Sequence, residues 1–286
     1  MFRHISFVEL VQQAGLGSVF AKLFIHEKDE MKYTIDESVS GLERQKQLAQ
    51  TFSPATIRFL DEIGDITGVK ALDVGCGIGE TTRMLGRRIG KSGSVVGVDF
   101  DQNLIESASS LTNEDNITYT KGDAHCLAFE DGSFDVVYAR LLLLHVSEPM
   151  LALKEMLRVC RPKGTVIVHD GDFSTLYTKP DPLGGEGLNK LFSLFRNTRI
   201  GSGLWHMFRE CGYDQVELRV DRMLVREESG KRLTLMTVEA MQEAALKSEL
   251  MTPKEVDTLC QTFSAGVKDD NYLIGYPEMY AAWVKR

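Results

Sequence analysis

The most constraining feature of this sequence is a strict alternation of short β-rich runs with helical segments between residues 69 and 170. Five runs are typical of strands: VKALDVG, GSVVGVDF, NITYTKGD, FDVVYAR and GTVIVHD. Helical segments near residues 80–89, 102–111 and 148–160 separate them. Strands that are apolar on both faces and joined by helices predict a parallel sheet that is covered by helices on each side.

The same pattern continues beyond residue 170, with a helix at 202–211 and strands in QVELRVDRMLV and MYAAWVKR. The predicted fold is therefore α/β: a Rossmann-like, seven-stranded, mostly parallel sheet with helices on both faces. We expect a helical insertion at about residues 231–266. The segment 173–200, which contains Pro180, Pro182 and LGGEG, is expected to be an irregular connection.

Helical spacing of apolar residues before residue 63 predicts an N-terminal helical cap, and Pro54 is expected to divide its last segment into a helix pair. The predicted domains are a cap or lid at residues 1–63 and a core at residues 64–286 that carries the two insertions at 173–200 and 231–266.

Composition narrows the class of partner. A formal net charge of −8 without a basic block argues against nucleic acid. No apolar run approaches the roughly 20 residues of a membrane span, and the N-terminus lacks a signal-peptide pattern. Five cysteines without a CxxC pair predict neither a disulfide framework nor a metal site, which favours the cytoplasm. We expect a small-molecule substrate, and a homodimer is compatible with the sequence.

A glycine-rich stretch, ALDVGCGIGE, follows the first strand and places Gly75, Gly77 and Gly79 at alternate positions. In an open parallel sheet, ligands bind beyond the carboxyl ends of the strands, where the strand order reverses. Glycines there adopt positive φ and leave room for a ligand against the backbone. The spacing is GxGxG rather than the dinucleotide pattern GxGxxG, and Glu80 would repel a pyrophosphate, which disfavours NAD.

Acidic residues end three successive strands: Asp73, Asp99 and Asp123. Carboxylates at these positions favour a ligand that is positively charged and rich in hydrogen-bond donors. Asp99 is placed to accept both hydroxyl groups of a ribose. S-adenosylmethionine has a sulfonium, an ammonium, a ribose and an adenine, and it fits this set.

Five motifs, in order, resemble those of class I S-adenosylmethionine-dependent methyltransferases. The similarity is greatest to the small-molecule branch that includes the ubiquinone and menaquinone biosynthesis enzymes, and it covers roughly residues 41–222. The motifs are LDVGCGIGETT, GSVVGVDFDQNLIESA, KGDA, DGSFDVVYARLLLLHV and ALKEMLRVCRPKGTVIV.

The resemblance implies a set of cofactor contacts. The glycine loop, including Cys76, would hold the methionine part, and Asp73 would orient its amine. Phe100 would lie against the adenine, whose edge Asp123 and Ala124 would read. The full implied set is Tyr33, Asp73, Gly75, Cys76, Gly77, Gly79, Asp99, Phe100, Asp123, Ala124 and Arg140.

Some of these residues also have purely structural interpretations. Tyr33 could pack within the cap, Asp73 could cap a helix or turn, and Arg140 could form a surface ion pair. Cys76 is expected to serve mainly as a small residue.

The implied reaction is in-line displacement that moves a methyl group to an O, N or C atom of a small, partly apolar organic molecule. His145, just beyond the fourth strand, is the candidate general base, and a core histidine is the alternative. His169 and Asp170 are expected to face the same crevice, with Asp172 close behind. A second hypothesis keeps the cofactor but not the transfer, as in a cyclase or a sensor.

Overall fold

The computed structural model describes residues 39–180 and 184–286. The helices expected before residue 39, together with Tyr33, lie outside the described residues. The helices and strands, in chain order, are as follows. They are α1 (Val39–Glu62), β1 (Lys70–Val74), α2 (Glu80–Ile89), β2 (Ser94–Asp99), α3 (Gln102–Ser110), β3 (Ile117–Lys121), β4 (Phe134–Arg140), α4 (Pro149–Val159), β5 (Cys160–Asp172), β6 (Tyr177–Lys179), α5 (Gly184–Phe192), α6 (Ile200–Glu210), β7 (Glu217–Asp221), β8 (Leu224–Val225), α7 (Glu228–Lys247), α8 (Pro253–Val267), β9 (Leu273–Gly275) and β10 (Glu278–Lys285).

The main sheet has seven strands in the order β3-β2-β1-β4-β5-β10-β7. Strands β1 to β5 pair in parallel, and β10 is antiparallel to both β5 and β7. The predicted seven-stranded, mostly parallel, Rossmann-like sheet is confirmed. The strand order reverses between β1 and β4, so the loops that follow these two strands lie at the topological switch point.

Helices cover both faces of this sheet, as the two-sided apolar strands predict. On one face, Phe59 of α1 and Leu85 of α2 pack into one hydrophobic cluster with the strands. On the other face, Met156 of α4 and Phe208 of α6 pack into a second cluster. The carboxyl ends of the strands remain as the place where loops can form a site.

A second, three-stranded sheet in the order β6-β9-β8 was not predicted. Val225 of β8 and Ile274 of β9 share a hydrophobic cluster with α5, α7 and α8. Two sequence expectations are corrected here. QVELRVDRMLV is not one strand, because the chain leaves the main sheet after Asp221 and joins the small sheet at Leu224. The segment 173–200 is more regular than expected, because Leu188, Leu191 and Phe192 form an apolar stripe that is buried in α5.

Helix α1 also differs from the prediction, since it continues through Pro54 instead of breaking into a pair. Proline removes one intrahelical hydrogen bond, but the neighbouring turn is held by hydroxyl groups: Ser53 Oγ donates to Ala49 O (2.6 Å) and Thr56 Oγ1 to Phe52 O (3.2 Å). Burial of Phe52 and Phe59 on either side of the proline stabilises the helix across it. Tertiary packing therefore outweighs the local preference.

Candidate functional site

The loop after β1 is held against the end of β2. The N–H groups of Gly75 and Cys76 both donate to Val98 O (2.8 and 3.0 Å). Gly77 N–H donates to Asp99 Oδ2 (2.8 Å). Helix α2 begins directly after Gly79, so the first-turn N–H groups of the helix face the same region.

Contacts within the protein, as well as any ligand, restrict positions 75, 77 and 79 to small residues. All three have positive φ: 73° at Gly75, 54° at Gly77 and 78° at Gly79. A side chain at Gly75 would meet Leu142, and one at Gly79 would meet the Tyr119 ring. The expectation that the glycines leave space for a ligand is therefore incomplete, because two of them are required by contacts within the protein.

Asp73 is a buried carboxylate, 1% exposed, at the end of β1. Thr82 Oγ1, in the first turn of α2, donates to its Oδ2 (2.7 Å). The pKa of Asp73 is raised to about 7: burial is the main cause and the charge of Asp99 adds to it, while the Thr82 hydrogen bond and the positive charge of Arg140 oppose the rise. A carboxylate in this state is stabilised in its ionised form by a cation placed beside it.

Asp99 lies at the end of β2, where its Oδ1 accepts from Asp101 N–H (3.0 Å) and its Oδ2 from Gly77 N–H. Burial raises its pKa as well, against the hydrogen bonds from these two N–H groups. Phe100, the next residue, is 67% exposed, and Lys121 Nζ lies 5.7 Å from its ring centroid. The structure thus places a carboxylate and an open aromatic face side by side at this strand end.

Asp123 lies beyond the end of β3, on an exposed turn. His125 N–H donates to its Oδ1 (2.8 Å), and the His125 Nδ1 is 2.7 Å from the same oxygen. Ala124 between them is buried. One carboxylate oxygen is therefore engaged by the turn itself, and the contact with His125 was not foreseen from the sequence.

The loop after β4 turns sharply over the sheet edge. Arg140 Nη1 donates to Thr56 Oγ1 of α1 (3.1 Å). Arg140 therefore contacts a buried hydroxyl group instead of forming the surface ion pair that was its alternative interpretation. Leu141 has φ 52°, a left-handed conformation that is uncommon for leucine. Asp170 Oδ2 accepts from Leu143 N–H (2.8 Å) and Leu144 N–H (3.3 Å). Asp170 therefore shapes this loop.

His145 lies at the end of that loop beside an aromatic cluster. Its ring meets Phe195 edge to face, with centroids 5.2 Å apart, and Phe195 in turn packs against Phe173 and Phe192. The pKa of His145 is lowered to about 3, mainly by burial and also by the positive charge of Arg44. The imidazole is neutral at pH 7, and its low pKa makes it a weak proton acceptor.

His169 does not share a crevice with Asp170, contrary to expectation, because neighbouring residues of a strand point to opposite faces. His169 Nδ1 lies 3.2 Å from Tyr138 OH, and the ring lines a cavity of about 260 Å³ beneath α1. Asp172 accepts from Ser174 N–H (3.1 Å) and Ser202 Oγ (2.6 Å). Asp172 is therefore a cap.

Helix α1 contributes residues that sequence reasoning missed. Gln45 Oε1 lies next to Gly77, Arg44 is buried near His145, and Thr56 accepts from Arg140. Arg44, Leu48, Phe52 and Thr56 follow one another at intervals of four residues, which marks a single face of one helix. That signal was available in the sequence, but the expected break at Pro54 obscured it.

Within residues 39–180 and 184–286, no helix is long and apolar enough to cross a membrane.

Comparisons with known proteins agree with this geometry. Residues 72–168 match the family model described as a methyltransferase domain. The demethylmenaquinone methyltransferase of Lactococcus lactis subsp. lactis is 38% identical over 120 residues, which are 41% of this chain and 48% of the relative. The enzyme of the same name from Staphylococcus aureus (strain MRSA252) is 40% identical over 120 residues, which are 42% of this chain and 50% of the relative. The chain thus spans about half the length of the curated relatives it matches.

Among solved structures, the YcgJ protein from Bacillus subtilis shares the fold, with a TM-score of 0.54 and 20% sequence identity over 81% of this chain and 98% of that chain. Residues 72–168 of this chain thus resemble a methyltransferase domain, and the sequence of the chain is similar to those of demethylmenaquinone methyltransferases over 120 residues.

Proposed function

We propose that the protein uses S-adenosyl-L-methionine to methylate an O, N or C atom of a small, partly apolar organic molecule. The observation that supports this most strongly is the pair of carboxylates Asp73 and Asp99, which flank the glycine loop at the switch point. Burial raises the pKa of both carboxyl groups, so a cation bound beside them would stabilise their ionised forms. A cationic nucleoside ligand supplies that positive charge.

The residues present fit this cofactor. We assign Asp73 to its ammonium, Asp99 to its ribose and Phe100 to one adenine face. Asp123 and Ala124 would contact the adenine edge, and Arg140 would face the methionine end. The backbone from Gly75 to Gly79, including Cys76 and Gly77, would hold the methionine part. Tyr33, outside the described residues, stays a prediction for the carboxylate.

When bound, the cofactor supplies an electrophilic methyl group, so the protein needs only to align an acceptor in line with the departing sulfur. The loop 141–145, fixed by Asp170, forms the floor beside that position. The Phe173, Phe192 and Phe195 cluster excludes water from it. We keep His145 as the candidate catalytic residue, and its neutral imidazole can accept a hydrogen bond from an acceptor hydroxyl.

Binding and turnover test this proposal separately. Calorimetry of the full chain with S-adenosylhomocysteine should show saturable binding, and NAD at the same concentration should show none. Incubation with S-adenosylmethionine and a panel of phenolic, quinol and amine acceptors should then release S-adenosylhomocysteine together with a methylated product. If neither S-adenosylhomocysteine nor S-adenosylmethionine gives binding heat, the proposal is overturned.

The low pKa of His145 favours a second candidate function: binding of the cofactor without methyl transfer, as in a cyclase or a sensor. His145 would give little assistance to an acceptor that needs strong base catalysis, since a group with a pKa of about 3 is a poor proton acceptor at pH 7. Tight binding with no S-adenosylhomocysteine formed from any acceptor would support this second function.

The names of the relatives make a quinol the first acceptor to test, and the aromatic cluster beside His145 suits a flat ring. We propose the cytoplasm as the location, because all five cysteines, Cys76, Cys126, Cys160, Cys211 and Cys260, are free thiols. We also propose that the protein is a homodimer.

A further inference from the structure

Strand β7 is an edge of the main sheet with an open backbone. Among residues 39–180 and 184–286, only β10 pairs with it. One row of its N–H and C=O groups therefore has no strand beside it, which makes it a template for another strand. Leu218 and Val220, which share one face of β7, are 39% and 52% exposed.

The two edges of the main sheet differ in the side chains that they expose. Strand β3 exposes Thr118, Thr120 and Lys121, polar and charged side chains that discourage pairing. In β7, the charged Glu217, Arg219 and Asp221 share one face of the strand, and the exposed aliphatic Leu218 and Val220 share the other. These aliphatic side chains distinguish β7 from β3, and pairing with another strand would cover them.

The sequence of β7 is complementary to itself when two copies run antiparallel about Leu218. Glu217 then lies opposite Arg219 of the partner subunit, and Arg219 opposite the partner's Glu217. On the other face, Leu218 meets the partner's Leu218, and Val220 meets the partner's Val216. Directly opposite pairs of this kind stabilise antiparallel strands, and a shift by one residue would set apolar against charged side chains.

The charges at this edge are available for such pairing. Glu217 forms no ion pair with any part of the chain that the structure describes. Arg219 is paired with Glu62 of α1 (2.5 Å), yet its side chain remains 63% exposed. We propose that β7 pairs antiparallel with β7 of a second copy across a two-fold axis, which continues the sheet through a symmetric dimer.

Sedimentation of the full chain over a range of concentrations tests the surface. Leu218→Lys places two ammonium groups against each other on the axis and should weaken dimerisation at least about tenfold. Leu246→Lys is the matched control, because Leu246 is 38% exposed on α7, away from β7. It should dimerise like the wild type, and circular dichroism should show that both variants are folded.

A charge exchange tests the register. Glu217→Arg sets like charges opposite each other twice and should weaken the dimer, whereas adding Arg219→Glu to it restores opposite charges and should recover most of the affinity. A monomeric wild type at all concentrations would overturn the proposal. So would a dimer that Leu218→Lys leaves unchanged, and a dimer that is insensitive to Glu217→Arg would overturn the register.

Discussion

At the scale of single residues, the candidate site consists of side chains at the strand ends. The spacing of the strands in the sequence is enough to place Asp73, Asp99 and Asp123 at neighbouring strand ends, and the structure has them there. Their pKa shifts could not be foreseen in the same way, because these depend on burial and on charges from other segments. The contacts that require glycine at positions 75 and 79 come from Leu142 and Tyr119, residues distant in sequence, and they too are visible only in three dimensions.

Replacement of Asp99 by asparagine should weaken binding of S-adenosylhomocysteine by about 1–3 kcal/mol, because charge-assisted hydrogen bonds to the ribose are lost. Calorimetry measures this directly. Asp101→Asn is the matched control: Asp101 caps α3 through Asn103 N–H (2.8 Å), a bond that an asparagine can also accept. Equal affinities for the two variants would remove Asp99 from the site.

The pKa of Asp73 predicts a pH dependence of cofactor affinity. A pKa of about 7 means that Asp73 is largely protonated at pH 6, so binding of a cation must displace the proton. The affinity for S-adenosylmethionine should therefore rise about tenfold per pH unit below 7 and level off above it. Titrations between pH 5.5 and 8.5 in buffers of different ionisation enthalpy measure both the slope and the released proton.

Asp73→Asn is the control for this dependence, because the variant has no proton to release at that position. Its affinity should be low and flat over the same pH range. A wild-type affinity that does not vary between pH 5.5 and 8.5 would contradict the assignment of Asp73 to the ammonium group.

At the scale of elements, α1 links the two halves of the site. Its first half lies over the glycine loop and His145 through Gln45 and Arg44, and its second half packs on the sheet through Phe59. The sequence predicted a helix on each side of Pro54 but not that the two are continuous. The cost of an interior proline can be read from the local sequence, whereas the tertiary packing that offsets this cost cannot. The division of 215–225 between two sheets was missed for a similar reason, since no glycine or proline marks the change at Arg222 and Met223.

Removal of the Thr56 hydroxyl should loosen α1 from the end of β4. Thr56→Val leaves a partly buried donor of Arg140 without its acceptor, and we expect a loss of about 1 kcal/mol in the free energy of unfolding, together with weaker cofactor binding. Chemical denaturation and calorimetry measure the two effects.

Thr51→Val is the matched control, because Thr51 Oγ1 donates to Gln47 O (2.8 Å) in the same helix but does not meet Arg140. If both variants lose the same stability and bind the cofactor alike, the contact between α1 and Arg140 has no role in the site.

At the scale of the whole molecule, strand alternation was sufficient to predict the class of fold. The position of the last strand was not predictable in the same way. β10 enters between β5 and β7 and runs against both of them, a pairing that depends on contacts across much of the chain. The helical insertion was predicted, but the small sheet that completes it was not, because its strands are two or three residues long.

Cofactor binding should stabilise the whole fold by mass action. At a concentration of 100 Kd, S-adenosylhomocysteine adds about 2.7 kcal/mol to the free energy of unfolding, which corresponds to a rise in Tm of about 4–5 °C for a chain of this size. Differential scanning fluorimetry measures the shift. NAD should give none, and an equal shift with NAD would contradict the proposed ligand class.

The position of β10 in the sheet has a consequence for co-translational folding. During translation β7 is synthesised well before β10, the strand with which it pairs. The ribosome must first synthesise α7, α8 and β9 before Glu278–Lys285 can pair with β7. At about 5–20 residues per second this interval lasts several seconds, in which β7 has no lasting place in the nascent sheet. The seven-stranded sheet is thus completed by the insertion of β10 between β5 and β7, after the edge strand β7 has already been synthesised. A chaperone that shields aliphatic strands would act in that interval.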